Sequence, residues 1–284
     1  MKPDHGFRNA SLSLVWLWLF FFAVLPCALV MIASLMGHSE SKLIQAPLTL
    51  ENYQALSRPL YLHIFQKSFL IAGTTTFLCL VLGYPFAYLI ARMQSAWKHF
   101  LILLVIIPFW TSSLIRSYAL IALIKAKGIL NAVLFGLGIL HQPLSILFTN
   151  TAVILGLVYN LLPFMILPLI TTIERLDMRL IDAAYDLGAN RFTTFQKIIL
   201  PLTIPGIISG SILVFLPAMT LFYISDILGG AKSTLVGNLI QNQFLITQNW
   251  PLGSAISIML TLILVALILM YRWTARSNKQ QEWL

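Results

Sequence analysis

Charge is scarce in this chain. Only 10% of its 284 residues are Asp, Glu, Lys or Arg, against about 25% in an ordinary soluble domain. There are just two cysteines, Cys27 and Cys79, in different apolar runs, so a disulfide between them is not expected. The five histidines show no metal-ligand spacing. No glycine-rich phosphate loop occurs, so the chain is not expected to bind ATP itself. No Ser-His-Asp arrangement is readable, and there is no internal repeat. A secondary transporter driven by protons usually carries inverted repeats and paired ionisable residues within its spans; neither is seen.

What fills the sequence instead is apolar surface. Hydrophobic residues make up 59% of it, and the mean hydropathy is +0.88. Lipid accepts apolar side chains on every face, so this composition points to a bilayer. A spanning helix needs roughly 20 mostly apolar residues. Six runs qualify: 12–36, 64–91, 100–124, 151–173, 203–225 and 253–273. Several exceed the minimum, which predicts tilt or kinks. The fold class expected is an all-α polytopic membrane protein with six transmembrane helices. The first run is much longer than the 7–15 residues of a signal-peptide core and no clean cleavage site follows, so it reads as a retained helix. Residues 52–56 suggest a short interfacial helix. Internal prolines are frequent, among them Pro85, Pro108, Pro163, Pro168 and Pro217. Each removes a backbone donor and invites a kink, which suits a bundle enclosing a pathway better than a rigid anchor.

The net charge of +9 raises nucleic acid as a partner, but membrane proteins concentrate Lys and Arg in their cytoplasmic loops. Six spans put both termini on one side. If that side is the cytoplasm, eleven basic residues lie inside, from Lys2 and Arg8 through Arg92, Lys98, Arg175, Arg179, Arg191 and Lys197 to Arg272, Arg276 and Lys279. Six lie outside: Lys42, Arg58, Lys67, Lys125, Lys127 and Lys232. The bias predicts cytoplasmic termini, a cytoplasmic loop at 174–202, and no nucleic-acid partner.

That loop carries the most distinctive pattern in the chain. Asp182-Ala183-Ala184 is followed by three residues, Gly188, nine further residues, and then Ile198, Leu200 and Pro201. Asp177 is placed to cap a helix beginning at Met178. Gly188 suits the left-handed position that ends it. Ala183 and Ala184 leave little bulk, which permits close approach of a partner. Asn190 is placed to start a second helix, in which Phe192, Phe195 and Ile199 would share one face. In the fifth run, Gly206 and Gly210 form a G-x-x-x-G pair that lets helix backbones approach closely, either within this chain or against a second pore subunit.

The Asp-Ala-Ala, Gly188 and Leu200-Pro201 spacing resembles the cytoplasmic coupling loop of ABC-importer permeases, with Asp182 in place of the usual Glu. The resemblance implies the type I ABC importer permease fold: an N-terminal segment at 1–60, a permease domain at 61–273 containing the loop 174–202, and a cytoplasmic tail at 274–284. It also implies that Asp182, Ala183, Ala184, Gly188, Leu200 and Pro201 dock an ATP-hydrolysing subunit, so that this chain is a transport subunit and not an enzyme. Two further runs, from Pro108 to Tyr118 and from Phe222 to Gly230, look like the spermidine/putrescine permeases within that family. The implied partners are a second permease subunit (PotC-like), two copies of an ATP-binding subunit (PotA-like), a periplasmic polyamine-binding protein (PotD-like) and membrane lipid of a bacterial inner membrane. The chain would hold no cofactor, with ATP and Mg on the partner ATPase.

A pathway for polyamines needs carboxylates, carbonyls or aromatic faces. A cation over an aromatic ring gains about 0.5–2 kcal/mol. The candidates are Trp110, Tyr159, Asn160, Tyr223 and Asp226. Asp226 is the one acid near a membrane segment outside the cytoplasmic loop, and it serves as a counter-charge at the outer mouth, as a hydrated helix-end residue, or as a partner for Arg116. Trp110 reads as a pathway wall or an interfacial anchor, Tyr159 as cavity lining or packing. Arg116 would repel a polycation and is expected to point towards outer headgroups or an acid. An importer of sulfate, molybdate, ferric iron or phosphonate is the competing cargo reading: Arg116 favours an anion, Asp226 and the aromatics a cation. A structural scaffold leaves the docking loop unexplained.

Overall fold

A computed structural model of the chain describes residues 5–39, 42–93, 95–139, 142–230 and 233–281. Of the basic residues counted above, Lys2 and Lys232 lie outside these. Among the described residues, six helices are long and apolar enough to cross a membrane: Leu12–Ser34, Pro59–Ala91, Ser113–Gly136, Asn150–Glu174, Arg191–Thr220 and Trp250–Leu269. The chain divides into two compact units, one comprising residues 1–62 and 239–284 and the other residues 63–238.

In the first unit the apolar N-terminal helix packs through Leu25–Ser34 on the last helix, Trp250–Gln281. An antiparallel hairpin follows, Met36–Ser39 with Lys42–Leu48, which the apolar runs did not predict. The expected short helix is present at Glu51–Leu56. Asn52 fastens it by donating to the carbonyls of Ser34 and Met36 at 3.1 and 2.8 Å. Tyr53 and Ser34 hydroxyls lie 2.8 Å apart.

The second unit is built around the fourth span, Asn150–Glu174, whose apolar window is the most buried of the six. The fifth span packs along it through the glycine pair. A Cβ on Gly206 would come within 2.5 Å of Thr172 Oγ1, and one on Gly210 within 2.7 Å of Met165 Sδ. The close approach left open by the sequence is thus an approach to this chain's own fourth span. From the second span, Tyr84 reaches the fifth, with its hydroxyl 2.9 Å from that of Thr203 and its ring edge-on to Phe195.

Prolines shape two helices in the same way. A π-turn at Phe20–Val24 precedes Leu25-Pro26, and one at Phe195–Ile199 precedes Leu200-Pro201. In each, the leucine amide bonds a carbonyl five residues back. A proline has no amide for the ladder, and its ring crowds the carbonyl four residues earlier; the wider turn accommodates it. The extra residue also shifts the helical phase. Phe192, before the π-turn, stands exposed, whereas Phe195 packs on Tyr84 and Ile199 is buried, so these three do not form the single face their spacing suggested.

Two expected spans are broken. The run 100–124 is a helix Ser95–Ile106, a 3-10 turn Ile107–Trp110, and a new helix Ser113–Ile124. Pro108 tightens the first helix, and its carbonyl is taken by the amide and hydroxyl of Thr111. Thr111 and Ser112 are then extended. The run 203–225 ends at Thr220, and Leu221 turns the chain into a separate short helix, Phe222–Gly229.

Candidate functional site

The break at Thr111–Ser112 opens a cavity of about 670 Å³ in the second unit. That volume lies in the range of small-molecule sites. Three helical segments converge on it. The 3-10 turn supplies Phe109 and Trp110, the fourth span Asn160 and Phe164, and the helix after Leu221 supplies Tyr223. Phe109 and Phe164 meet edge to face with centroids 4.7 Å apart. The Tyr223 hydroxyl donates to Ser113 Oγ at 2.9 Å, which ties the short helix to the start of Ser113–Ile124. Trp110 stands at the rim, 82% exposed.

Of the five residues expected along a pathway, Trp110, Asn160 and Tyr223 are thus brought together. Tyr159 is not part of the lining and is half exposed, because one residue's step along the helix turns it away from Asn160. Asp226 is also outside the lining. It lies on the separate helix Phe222–Gly229, and its carboxylate accepts from Asn238 Nδ2 at 2.5 Å. The same amide group donates to the Phe222 carbonyl at 3.1 Å, and the Asn238 carbonyl oxygen accepts from the Leu235 amide.

The chief correction concerns Arg116. Instead of reaching headgroups or an acid, it is buried, 8% exposed, and lines the cavity. Its guanidinium lies 5.4 Å over the Phe109 ring. No ion pair joins it to Asp226 among the described residues. The break in the third run explains this placement: restarting the helix at Ser113 rotates Arg116 inward. Arg116 Nε and Asn160 Oδ1 are both buried without a hydrogen-bond partner. The Asn160 amide donates to the Gly156 carbonyl at 2.8 Å, leaving its oxygen free. The cavity therefore presents aromatic faces, an idle amide acceptor and a guanidinium, but no carboxylate of its own among the described residues. Phe109, Phe164 and Arg116 were not singled out as lining. Phe109 and Arg116 sit in the run already noted around Trp110, while nothing local marks Phe164.

The loop after the fourth span forms a second surface. Its helix runs Met178–Asp186, capped by Asp177, whose carboxylate accepts from the Arg179 amide at 3.0 Å. At the other end Gly188 takes φ +82°. The Gly188 amide bonds the Tyr185 carbonyl and the Ala189 amide bonds that of Ala184, both at 2.9 Å. This double closure is a Schellman cap. Asp182 and Ala183 face outward, whereas Ala184 is buried within the chain. Leu187 is 89% exposed, with Phe192 and Tyr185 also exposed. Asn190 caps the next helix by accepting from the Thr193 amide at 2.8 Å. Leu200 and Pro201 lie within the fifth span, directly after its π-turn. Two contacts brace the loop on the turn after the second span. Arg92 stacks on Tyr88 and contacts Met178 Sδ, and Lys98 pairs with Glu174 at 2.9 Å.

Residues 80–280 match the family described as binding-protein-dependent transport system inner membrane component. A spermidine/putrescine transport system permease protein PotB from Haemophilus influenzae is 49% identical over 276 residues, 97% of this chain and 96% of that protein. Its namesake from Escherichia coli is 47% identical over 267 residues, 93% of this chain and 97% of that one. A solved bacterial ABC transporter that imports the acidic polysaccharide alginate contains a chain of the same fold, with a TM-score of 0.74 at 16% identity, covering 95% of each chain.

Proposed function

This chain belongs to the family of binding-protein-dependent transport system inner membrane components, and we propose that it is the polyamine permease of an importer driven by a partner's ATP hydrolysis. It is a membrane-embedded permease subunit and not an enzyme. The cargo moves from periplasm to cytoplasm, as spermidine or putrescine. The carrying observation is the near full-length identity of 46–49% to permeases named for those two solutes. The cavity is in keeping with such a cargo. Ammonium groups are held by aromatic faces and amide oxygens, and Trp110, Phe109, Tyr223 and the idle Asn160 Oδ1 provide both.

The partners are a second permease, two ATP-binding subunits and a periplasmic polyamine-binding protein. ATP and Mg sit on the ATP-binding subunits, and this chain carries no cofactor. The Met178–Asp186 helix docks on one ATP-binding subunit. Exposed Leu187 and Tyr185 form the contact, since exposed apolar groups beside a capped, rigid helix mark a protein interface. Arg92 and Lys98 carry its movement to the second and third spans. Both termini lie in the cytoplasm of the bacterial inner membrane, as the basic residues of the loops indicate.

The guanidinium of Arg116 in the cavity favours a second reading, an importer of an oxyanion such as sulfate, molybdate or phosphonate. Uptake decides between them. The assembled importer in proteoliposomes, with its binding protein, should accumulate radiolabelled spermidine or putrescine in an ATP-dependent way. Accumulation of an oxyanion with none of either polyamine would overturn the proposal.

A further inference from the structure

Arg116 is electrostatically incomplete in this chain. It is buried in a membrane-spanning unit, stacked on Phe109, and its Nε has no hydrogen-bond partner. No carboxylate lines its cavity among the described residues, and the Asp226 carboxylate is engaged with Asn238. A buried charge of this kind is strongly unfavourable unless it is paired. A polycationic cargo in the same cavity makes the imbalance worse. Trp110, at the rim of the cavity, is exposed, so the cavity opens at the surface of this chain. A guanidinium with an unpartnered Nε, in a cavity that opens past Trp110, has the charge complement of a protein surface that carries an acid.

We propose that Arg116 receives an Asp or Glu carboxylate of the second permease subunit, so that the cavity becomes complete only at the interface between the two permeases. The inference rests on the permease reading above. An ionised carboxylate accepts hydrogen bonds on both oxygens. One side pairs with the guanidinium, and the other faces the cavity, where it meets the cargo's ammonium alongside Asn160 Oδ1. Arg116 then acts as a positioning residue: it keeps the partner's carboxylate ionised and fixed, and it does not touch the cargo. This arrangement reconciles a guanidinium in the cavity with a cationic cargo, because the partner's acid screens one from the other.

The test uses the complete importer, with both permeases, the ATP-binding subunits and the binding protein. Arg116→Glu is expected to lower both the second permease co-purified with this chain and the uptake per assembled complex by roughly tenfold or more, since breaking a buried pair leaves an unpaired charge. Each Asp and Glu in the spans of the second permease is then changed to Lys in that background. One of these reversals should restore assembly and most of the uptake. If the Arg116→Glu chain is absent from the membrane, Arg116→Gln replaces it, and neutralising the partner acid should add little to its effect, the non-additivity of a coupled pair. Restoration by no reversal, together with additive losses for every acid, overturns the proposal. So does wild-type assembly and uptake in Arg116→Gln. A dependence on Arg116 that appears only in vesicles containing anionic lipid, and vanishes in pure phosphatidylcholine, overturns it in favour of a headgroup phosphate. Assembly is read without cargo. If the wild-type importer carries no polyamine yet the reversal restores assembly, the pairing stands and the cargo reading falls.

Discussion

Gly188 offers a clean test of whether the loop helix transmits force. Its φ of +82° is the left-handed region, and its two-bond closure with Ala189 ends the helix Met178–Asp186. A Cβ there would meet nothing in this chain within 4 Å. The cost of a side chain is therefore conformational. An L-residue in the left-handed region costs about 1–2 kcal/mol, while Asn adopts it readily, and a β-branched residue is an outlier there. Since 1.4 kcal/mol is about a factor of ten, Gly188→Val should reduce substrate-stimulated ATP hydrolysis in proteoliposomes by roughly tenfold. Gly188→Ala should fall between, and Gly188→Asn should stay within about twofold of wild type, although Asn and Val are similar in bulk. Polyamine affinity of the isolated binding protein is unchanged throughout. Wild-type hydrolysis and assembly in Gly188→Val would refute the reasoning. Equal damage by Asn and Val would move the cause from backbone conformation to a collision with the ATP-binding subunit.

Gly210→Leu should destabilise the chain by more than about 1–3 kcal/mol, the usual cost of overpacking, because its Cβ alone meets Met165; an unchanged melting temperature of the detergent-extracted importer would contradict the close packing of the fourth and fifth spans. Trp110→Leu should weaken polyamine uptake per assembled complex several-fold by removing a ring at the cavity rim. Asp226→Asn should leave that ratio near wild type and instead lower assembly modestly, since its carboxylate holds Asn238; the reverse outcome would return Asp226 to the pathway. Cysteines placed at Asn190 and Gln196 should resist an impermeant thiol reagent applied to intact cells from the periplasm, and labelling of either would defeat the cytoplasmic assignment of the loop.

Local physics was legible in the sequence. Bilayer solvent selects apolar runs some 20 residues long, and six spans are present among the described residues, though the runs 100–124 and 203–225 are each broken. Caps are equally local: Asp177, Gly188 and Asn190 act on amides two to five residues away, so their roles could be read from spacing. What hydropathy conceals is a break inside an apolar stretch. Pro108 and Thr111 interrupt the third run without changing its apolar character, and Leu221 does the same to the fifth. Those breaks decide which way Arg116 and Asp226 point.

The cavity itself belongs to the tertiary structure. Trp110, Asn160 and Tyr223 come from three segments separated by some fifty residues or more each, and no periodicity records that they converge. Nor does the G-x-x-x-G pattern say which helix it admits; only the packing of Gly206 against Thr172 and Gly210 against Met165 identifies the chain's own fourth span. The sequence by itself determined a six-span membrane protein and a capped loop helix, because hydrophobicity and capping act over one helical turn to one span. The tertiary structure decided where the charges and rings meet, because contacts between distant segments depend on helix breaks and phase that local patterns do not carry.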